Sequence, residues 1–117
     1  MTNPAGRVWE NRVRDFLAPV FPGMDRAVKH GRFDRGEFIN TGDWTLECKA
    51  TKAIDLSGAL DQAVVEQGHN NTQWHAAIIK RRNHNRDKAY VVMTLLQFRE
   101  LIMYLSDMEA DHYGDAS

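Results

Sequence analysis

Residues Trp44-Thr45-Leu46-Glu47-Cys48-Lys49 alternate apolar and polar side chains. A period of two predicts a strand, with Trp44, Leu46 and Cys48 on one face and Thr45, Glu47 and Lys49 on the other. Two residues along a strand advance ~7 Å, so Glu47 and Lys49 become neighbours on one face. A second carboxylate, Glu37, lies upstream of the turn-prone Asn40-Thr41-Gly42. A reversal there pairs residues 33–40 with residues 43–50 as antiparallel strands. Two carboxylates and an ammonium would then meet, a set able to hold a divalent cation and activate water against a phosphodiester.

The flanking segments read as alternating helices and strands. Asn3 followed by Pro4 looks like a helix start, and Trp9, Val13, Phe16, Leu17 and Val20 recur at helical spacing. This predicts a first helix over about 4–20, closed by Pro19, Pro22 and Gly23. Residues 26–30 read as a short strand or extended connection. Ser57 is a candidate cap for a helix over 57–68, with Leu60, Ala63, Val64 and Gln67 on one face and closure at Gly68-His69-Asn70-Asn71. Residues 74–80 suit a buried strand, 82–86 a polar loop and 88–93 a further strand. Thr94 and Gln97 form a capping box for a helix over 95–106, with Leu95, Phe98, Leu101, Ile102 and Leu105 as its core face. The order α-β-β-β-α-β-β-α predicts an α/β domain, a mixed sheet flanked by helices. Residues 1–106 form that single domain, and 107–117 an acidic, mobile tail.

Charge is informative through its placement. The net charge of −1 argues against a nucleic-acid partner, yet Asp107, Glu109, Asp111 and Asp115 sit together at the C-terminus without a Lys or Arg. Setting these four aside leaves 12 of the 16 acidic residues against 15 basic ones, a balance of +3 before residue 107. Lys80, Arg81, Arg82, Arg86 and Lys88 also cluster, which permits a phosphate-binding face. The single cysteine, Cys48, excludes an intrachain disulfide and fits a reducing cytoplasm. The histidines lack zinc-site spacing, and His69, His75 and His84 lack the context of a histidine-type metal nuclease. No apolar run reaches the ~20 residues of a membrane span. No GxxxxGKS loop is present, so no nucleoside triphosphate is implied.

Taken in order, Asp34-Arg35-Gly36-Glu37-Phe38-Ile39, Trp44 to Lys49, Ile54-Asp55-Leu56, Ala77-Ile78-Ile79-Lys80-Arg81-Arg82 and Tyr90-Val91-Val92-Met93-Thr94-Leu95 resemble small phage Holliday junction resolvases of the PD-(D/E)xK nuclease superfamily. The likeness covers roughly residues 7 to 105. It implies a restriction-endonuclease-like core, a homodimer, and an Mg²⁺-dependent endodeoxyribonuclease, with Mn²⁺ as a substitute. The implied reaction is symmetric paired cleavage of four-way DNA junctions, in the host cytoplasm if the gene is carried by a phage. The implied metal ligands are Glu37, Glu47 and the backbone carbonyl of Cys48, with Glu10 added from the first helix. Lys49 completes the catalytic set of Glu37, Glu47, Lys49 and Glu10. Lys80, Arg81, Arg82, Arg86 and Arg35 are the implied phosphate contacts. The family usually has Asp where this chain has Glu37, which is longer by a methylene. Gln62 and Gln67 lie on the helix from which the family often brings a polar residue to the site, and both read here as side chains facing solvent. Asp34 and Asp43 read as turn residues. The alternatives are another structure-specific or restriction-like nuclease of this superfamily, and a non-catalytic module that binds DNA junctions.

Overall fold

The computed structural model describes residues 4–26 and 38–113. Among them are three helices and five strands in the order α1 (Pro4–Leu17), β1 (Asp25–Arg26), β2 (Phe38–Ile39), β3 (Trp44–Lys49), α2 (Leu56–Asn70), β4 (Trp74–Ile79), β5 (Tyr90–Val92) and α3 (Leu95–Tyr113). This is a mixed α/β arrangement in the predicted element order. β3 and β4 are parallel and in register from Trp44↔Trp74 to Lys49↔Ile79, and β5 adds antiparallel to β4. Parallel neighbours need a crossover, and α2 supplies it. β1 and β2 form a separate antiparallel pair. Residues 33–40 were expected to pair with β3; within the described part, Phe38–Ile39 pairs with β1 instead, and residues 33–37 lie outside the described residues. No described helix is long and apolar enough to cross a membrane.

Each face of the sheet carries its own core. Leu46 and Cys48 of β3 and Ala76 and Ile78 of β4 pack with Trp9 and Val13 of α1, together with Met24 and Phe38. The Trp9 indole N–H donates to the Ile78 carbonyl at 3.2 Å, which satisfies the polar end of a buried tryptophan. On the other face Ala77 and Ile79 meet Ala59 and Ala63 of α2. Alanines at these positions let the α2 backbone approach the sheet closely. β4 is buried along its whole length, as its apolar run predicted.

Several local expectations are corrected. α1 ends at Leu17 rather than near residue 20, and Phe16 and Val20 are exposed. The cap of α2 is Asp55, not Ser57: the Asp55 carboxylate accepts from the Gly58 N–H at 2.9 Å, so the helix starts at Leu56. α2 also turns a different face inward, with Ala59, Ala63 and Glu66 buried and Val64 exposed. It runs to Asn70 and closes at Asn71, whose φ of 55° gives the left-handed cap. β5 spans Tyr90–Val92, shorter than the expected 88–93. α3 extends through Tyr113, so the stretch expected as a mobile tail is helical up to that residue. The expected core face of α3 is not covered: Leu95, Phe98, Ile102 and Leu105 are exposed, and Leu101 is half-buried.

α1 is tied to β1 by charge as well as packing. Arg14 donates to Asp25 at 3.2 Å, and Arg26 lies 3.4 Å from the Glu10 carboxylate. The Arg26 N–H, and then the Arg14 guanidinium, hold the Asp25 carboxyl below its ordinary range.

Candidate active site

The strand pattern around Glu47 holds. Cys48 and Leu46 face the α1 core, so Thr45, Glu47 and Lys49 point toward α2. The Glu47 side chain is 2% exposed, and its carboxylate lies 3.8 Å from the Lys49 ammonium. Lys49 is 32% exposed and stands between that buried carboxylate and solvent. Beyond the C-terminal end of β3 a cavity of about 480 Å³ opens between the sheet and the start of α2. Lys49, Thr51, Asp55, Gly58, Gln62 and Ile79 are among the residues lining it. Open sheets with parallel strands hold ligands outside their carboxyl ends, because loops diverge there.

Backbone direction adds a further oxygen. The Trp74 N–H donates to the Asp43 carbonyl at 3.0 Å and the Lys80 N–H to the Lys49 carbonyl at 2.9 Å. Odd-numbered residues of β3 therefore turn their peptide groups toward β4, and Leu46 and Cys48 turn theirs toward the opposite edge. The Cys48 carbonyl lies on that edge, while its thiol is buried among apolar side chains.

Glu10 is half-buried on α1 and pairs with Arg26. Among the described residues no three His, Cys, Asp or Glu side chains gather closely enough to hold a metal ion together. Glu37 and Arg35 lie outside the described residues, as does Asp34. Asp43, read as a turn residue, instead accepts from the Gln73 N–H at 2.8 Å and so fixes the entry to β4.

Two helix residues change standing. Gln62 lines the cavity beside Lys49, where it was expected on the surface. Gln67 is internal wiring: its amide nitrogen donates to the Thr72 and Gln73 carbonyls, and its oxygen meets His75 Nδ1 at 2.8 Å. Glu66 was not anticipated. It is buried on the sheet-facing stripe of α2 with its carboxylate 4.0 Å from His69 Nδ1. The spacing of Ala59, Ala63 and Glu66 at i, i+4 and i+7 was the available signal.

The basic cluster divides in two. Lys80 and Arg82, with Lys52, line a second cavity of about 480 Å³ that also touches Thr51 and Ile54. The loop carrying Thr51 and Ile54 is thus shared by both cavities. Arg81 instead lies 5.6 Å over the Tyr90 ring, and Arg86 5.1 Å over Phe16. No family model, curated protein or solved structure matches this chain.

Proposed function

We propose that this protein is a metal-dependent endodeoxyribonuclease with a restriction-endonuclease-like core, acting on branched DNA of the four-way-junction type as a homodimer. The observation that carries the reading is the fully buried Glu47 carboxylate beside the half-exposed Lys49 ammonium, which itself lines a cavity beyond the parallel strand ends. A buried carboxylate that serves only structure is costly and uncommon, whereas functional sites concentrate such groups. The donors fit Mg²⁺: the Glu47 carboxylate and the Cys48 carbonyl are hard oxygens, and Mg²⁺ takes one or two carboxylates and fills its shell with water and substrate oxygens. Glu37 and Glu10 are the further carboxylates of this reading. When bound, the cation supplies charge neutralisation of the phosphate and a more acidic water.

The chain's own residues do the rest. Glu47 sits beside the Lys49 ammonium in a dry setting, where electrostatic interactions are stronger than in water. Lys49 orients the attacking water and offsets charge that grows on the phosphate oxygens. Water adds its oxygen to phosphorus, the opposite P–O bond breaks, and the proton ends on the leaving oxygen. Lys52, Lys80 and Arg82 line the adjoining cavity, where a phosphate backbone can run without being read for sequence.

Purified protein incubated with labelled four-way junction, linear duplex and flap DNA, in Mg²⁺ or EDTA, tests this directly. Paired symmetric nicks in the junction, lost in EDTA and in Lys49→Ala, are the expected result. Equal cleavage of all three substrates would keep the nuclease and remove the junction preference. Binding without cleavage would leave a junction-binding module and end the enzyme reading.

A further inference from the structure

We infer that α3 is the self-association surface of this protein, pairing antiparallel with α3 of a second copy. One stripe of the helix is already occupied. Gln97 is buried against His75, and the Tyr104 ring meets Trp74 edge-on with centroids 5.8 Å apart. A second stripe, Leu95, Phe98, Ile102 and Leu105, has the 3-4-3 spacing of a helix-pairing seam and stands between 47% and 81% exposed. Leu96 and Met103 extend the apolar surface to a third side. From Ile102 to Asp111 every side chain is exposed in the single chain. The radius of gyration is 15.6 Å, against roughly 13 Å for a compact domain of this length.

Area and charge identify the occupant. Leu95, Phe98, Ile102, Leu105 and Met108 are large and exposed on or beside the free stripe. At roughly 60–120 Å² each, they offer about 300–600 Å², which reaches the low end of a specific interface at ~600 Å² per partner. The charges on α3 are asymmetric: Arg99 and Glu100 offset each other near the start, and Asp107, Glu109 and Asp111 crowd the end. An antiparallel pair sets the acidic end of each copy against the neutral start of the other. A parallel pair stacks acid on acid. An anionic membrane surface is disfavoured by the same acidic end. The inference rests on the junction-cutting reading only for why two copies are needed, since a single site cannot make two symmetric cuts.

Sedimentation equilibrium of the full chain without DNA or metal is the test, so its outcome is separable from that of any cleavage assay. A dimer at micromolar concentration is expected, with Ile102→Glu weakening self-association at least 100-fold while the circular dichroism spectrum is retained. In an oxidising cross-linking series, Ile102→Cys near the two-fold axis should form a covalent dimer. Leu95→Cys should not, because the two Leu95 positions lie ~20 Å apart in an antiparallel pair. A monomer at tens of micromolar, a dimer indifferent to Ile102→Glu, equal cross-linking at both positions, or partition of the protein onto vesicles of phosphatidylserine and phosphatidylcholine would each overturn the inference.

Discussion

The Gln97 side-chain amide grips the backbone of His75 from both ends: its nitrogen donates to the His75 carbonyl and its oxygen accepts from the His75 N–H, each at 2.7 Å. β5 pairs with β4 only at Ala77, Ile78 and Ile79, so His75 lies beyond the end of that ladder. The amide stands in for the missing strand and fixes the start of α3 to the sheet.

Gln97→Leu should therefore be costly. It keeps the volume but strands a buried N–H and a buried C=O, at about 1–3 kcal/mol each. We expect a loss of about 2–4 kcal/mol in urea unfolding, a large share of a typical total of about 5–15 kcal/mol. A loss below about 1 kcal/mol would mean that water or a shifted chain replaces the amide.

His75 should make stability fall on acidification. The Thr94 N–H donates to His75 Nε2 at 3.3 Å, so Nδ1 carries the proton and donates to the Gln67 oxygen. Burial lowers the His75 pKa below its ordinary 6.5, with Gln97 opposing weakly. The unfolded chain then takes up the proton first. The contribution is fully present above pH ~6.5 and declines as pH drops below it. His75→Gln should show a shallower loss of stability between pH 7 and 5.5 than the parent chain. Equal slopes would show that the other histidines carry the dependence.

Glu47→Gln separates catalysis from stability. The change is isosteric and removes a charge from a site that is 1% exposed. Junction cleavage in Mg²⁺ should fall at least ~100-fold, the scale of losing one preorganised electrostatic group. The melting temperature should stay within a few degrees or rise, because burying a charge is costly. Retained cleavage would remove Glu47 from the reaction.

The close approach of α2 to the sheet is equally open to measurement. Ala63 is fully buried against Ala77 and Ile79, both also buried. Ala63→Leu should cost about 1–3 kcal/mol by overpacking, read by thermal unfolding. Cleavage should drop with it, since Gln62 and Gly58 on the same helix line the cavity beside Lys49.

What was legible in the sequence follows from the range of the forces involved. The alternation from Trp44 to Lys49 named the faces of β3, because side-chain direction in a strand is local. The Thr94 cap was legible for the same reason, and its hydroxyl does accept from the Gln97 N–H at 3.1 Å. The Gln97 side chain was misread: a capping box sends it back to Thr94, while here it reaches a strand 22 residues away. No local pattern reports that. Ser57 lost the helix cap to Asp55, two residues earlier, because both fit the rule and only the carboxylate meets the Gly58 N–H. The α3 stripe shows a different limit. Periodicity says that Leu95, Phe98, Ile102 and Leu105 call for cover, and says nothing of which chain provides it. Glu66 was missed because a carboxylate on an alanine stripe looks like solvent polarity until the helix is docked.

The division of the basic cluster leads to a graded prediction for DNA affinity. Lys80 and Arg82 line the cavity next to the candidate site, whereas Arg81 rests on Tyr90 and Arg86 on Phe16, at a separate cavity shared with Arg12. An arginine over an aromatic ring is held by that ring and by its own packed stem, so its loss acts partly through folding. A lysine or arginine facing open cavity has only the phosphate to serve. Lys80→Ala and Arg82→Ala should each weaken junction binding without changing preference among sequences. Each should also lower the slope of log affinity against log salt by about 0.9, the value for one phosphate contact on duplex DNA. Arg81→Ala and Arg86→Ala should show smaller slope changes and a measurable loss of stability, of about 0.5–1 kcal/mol. Fluorescence anisotropy across a salt series, run on catalytically inactive Lys49→Ala in EDTA, reads the slopes without cleavage. If Arg81 and Arg86 reduce the slope as much as Lys80 and Arg82, DNA runs over the Tyr90 and Phe16 side of the molecule and the cavity lined by Lys52 is not its path.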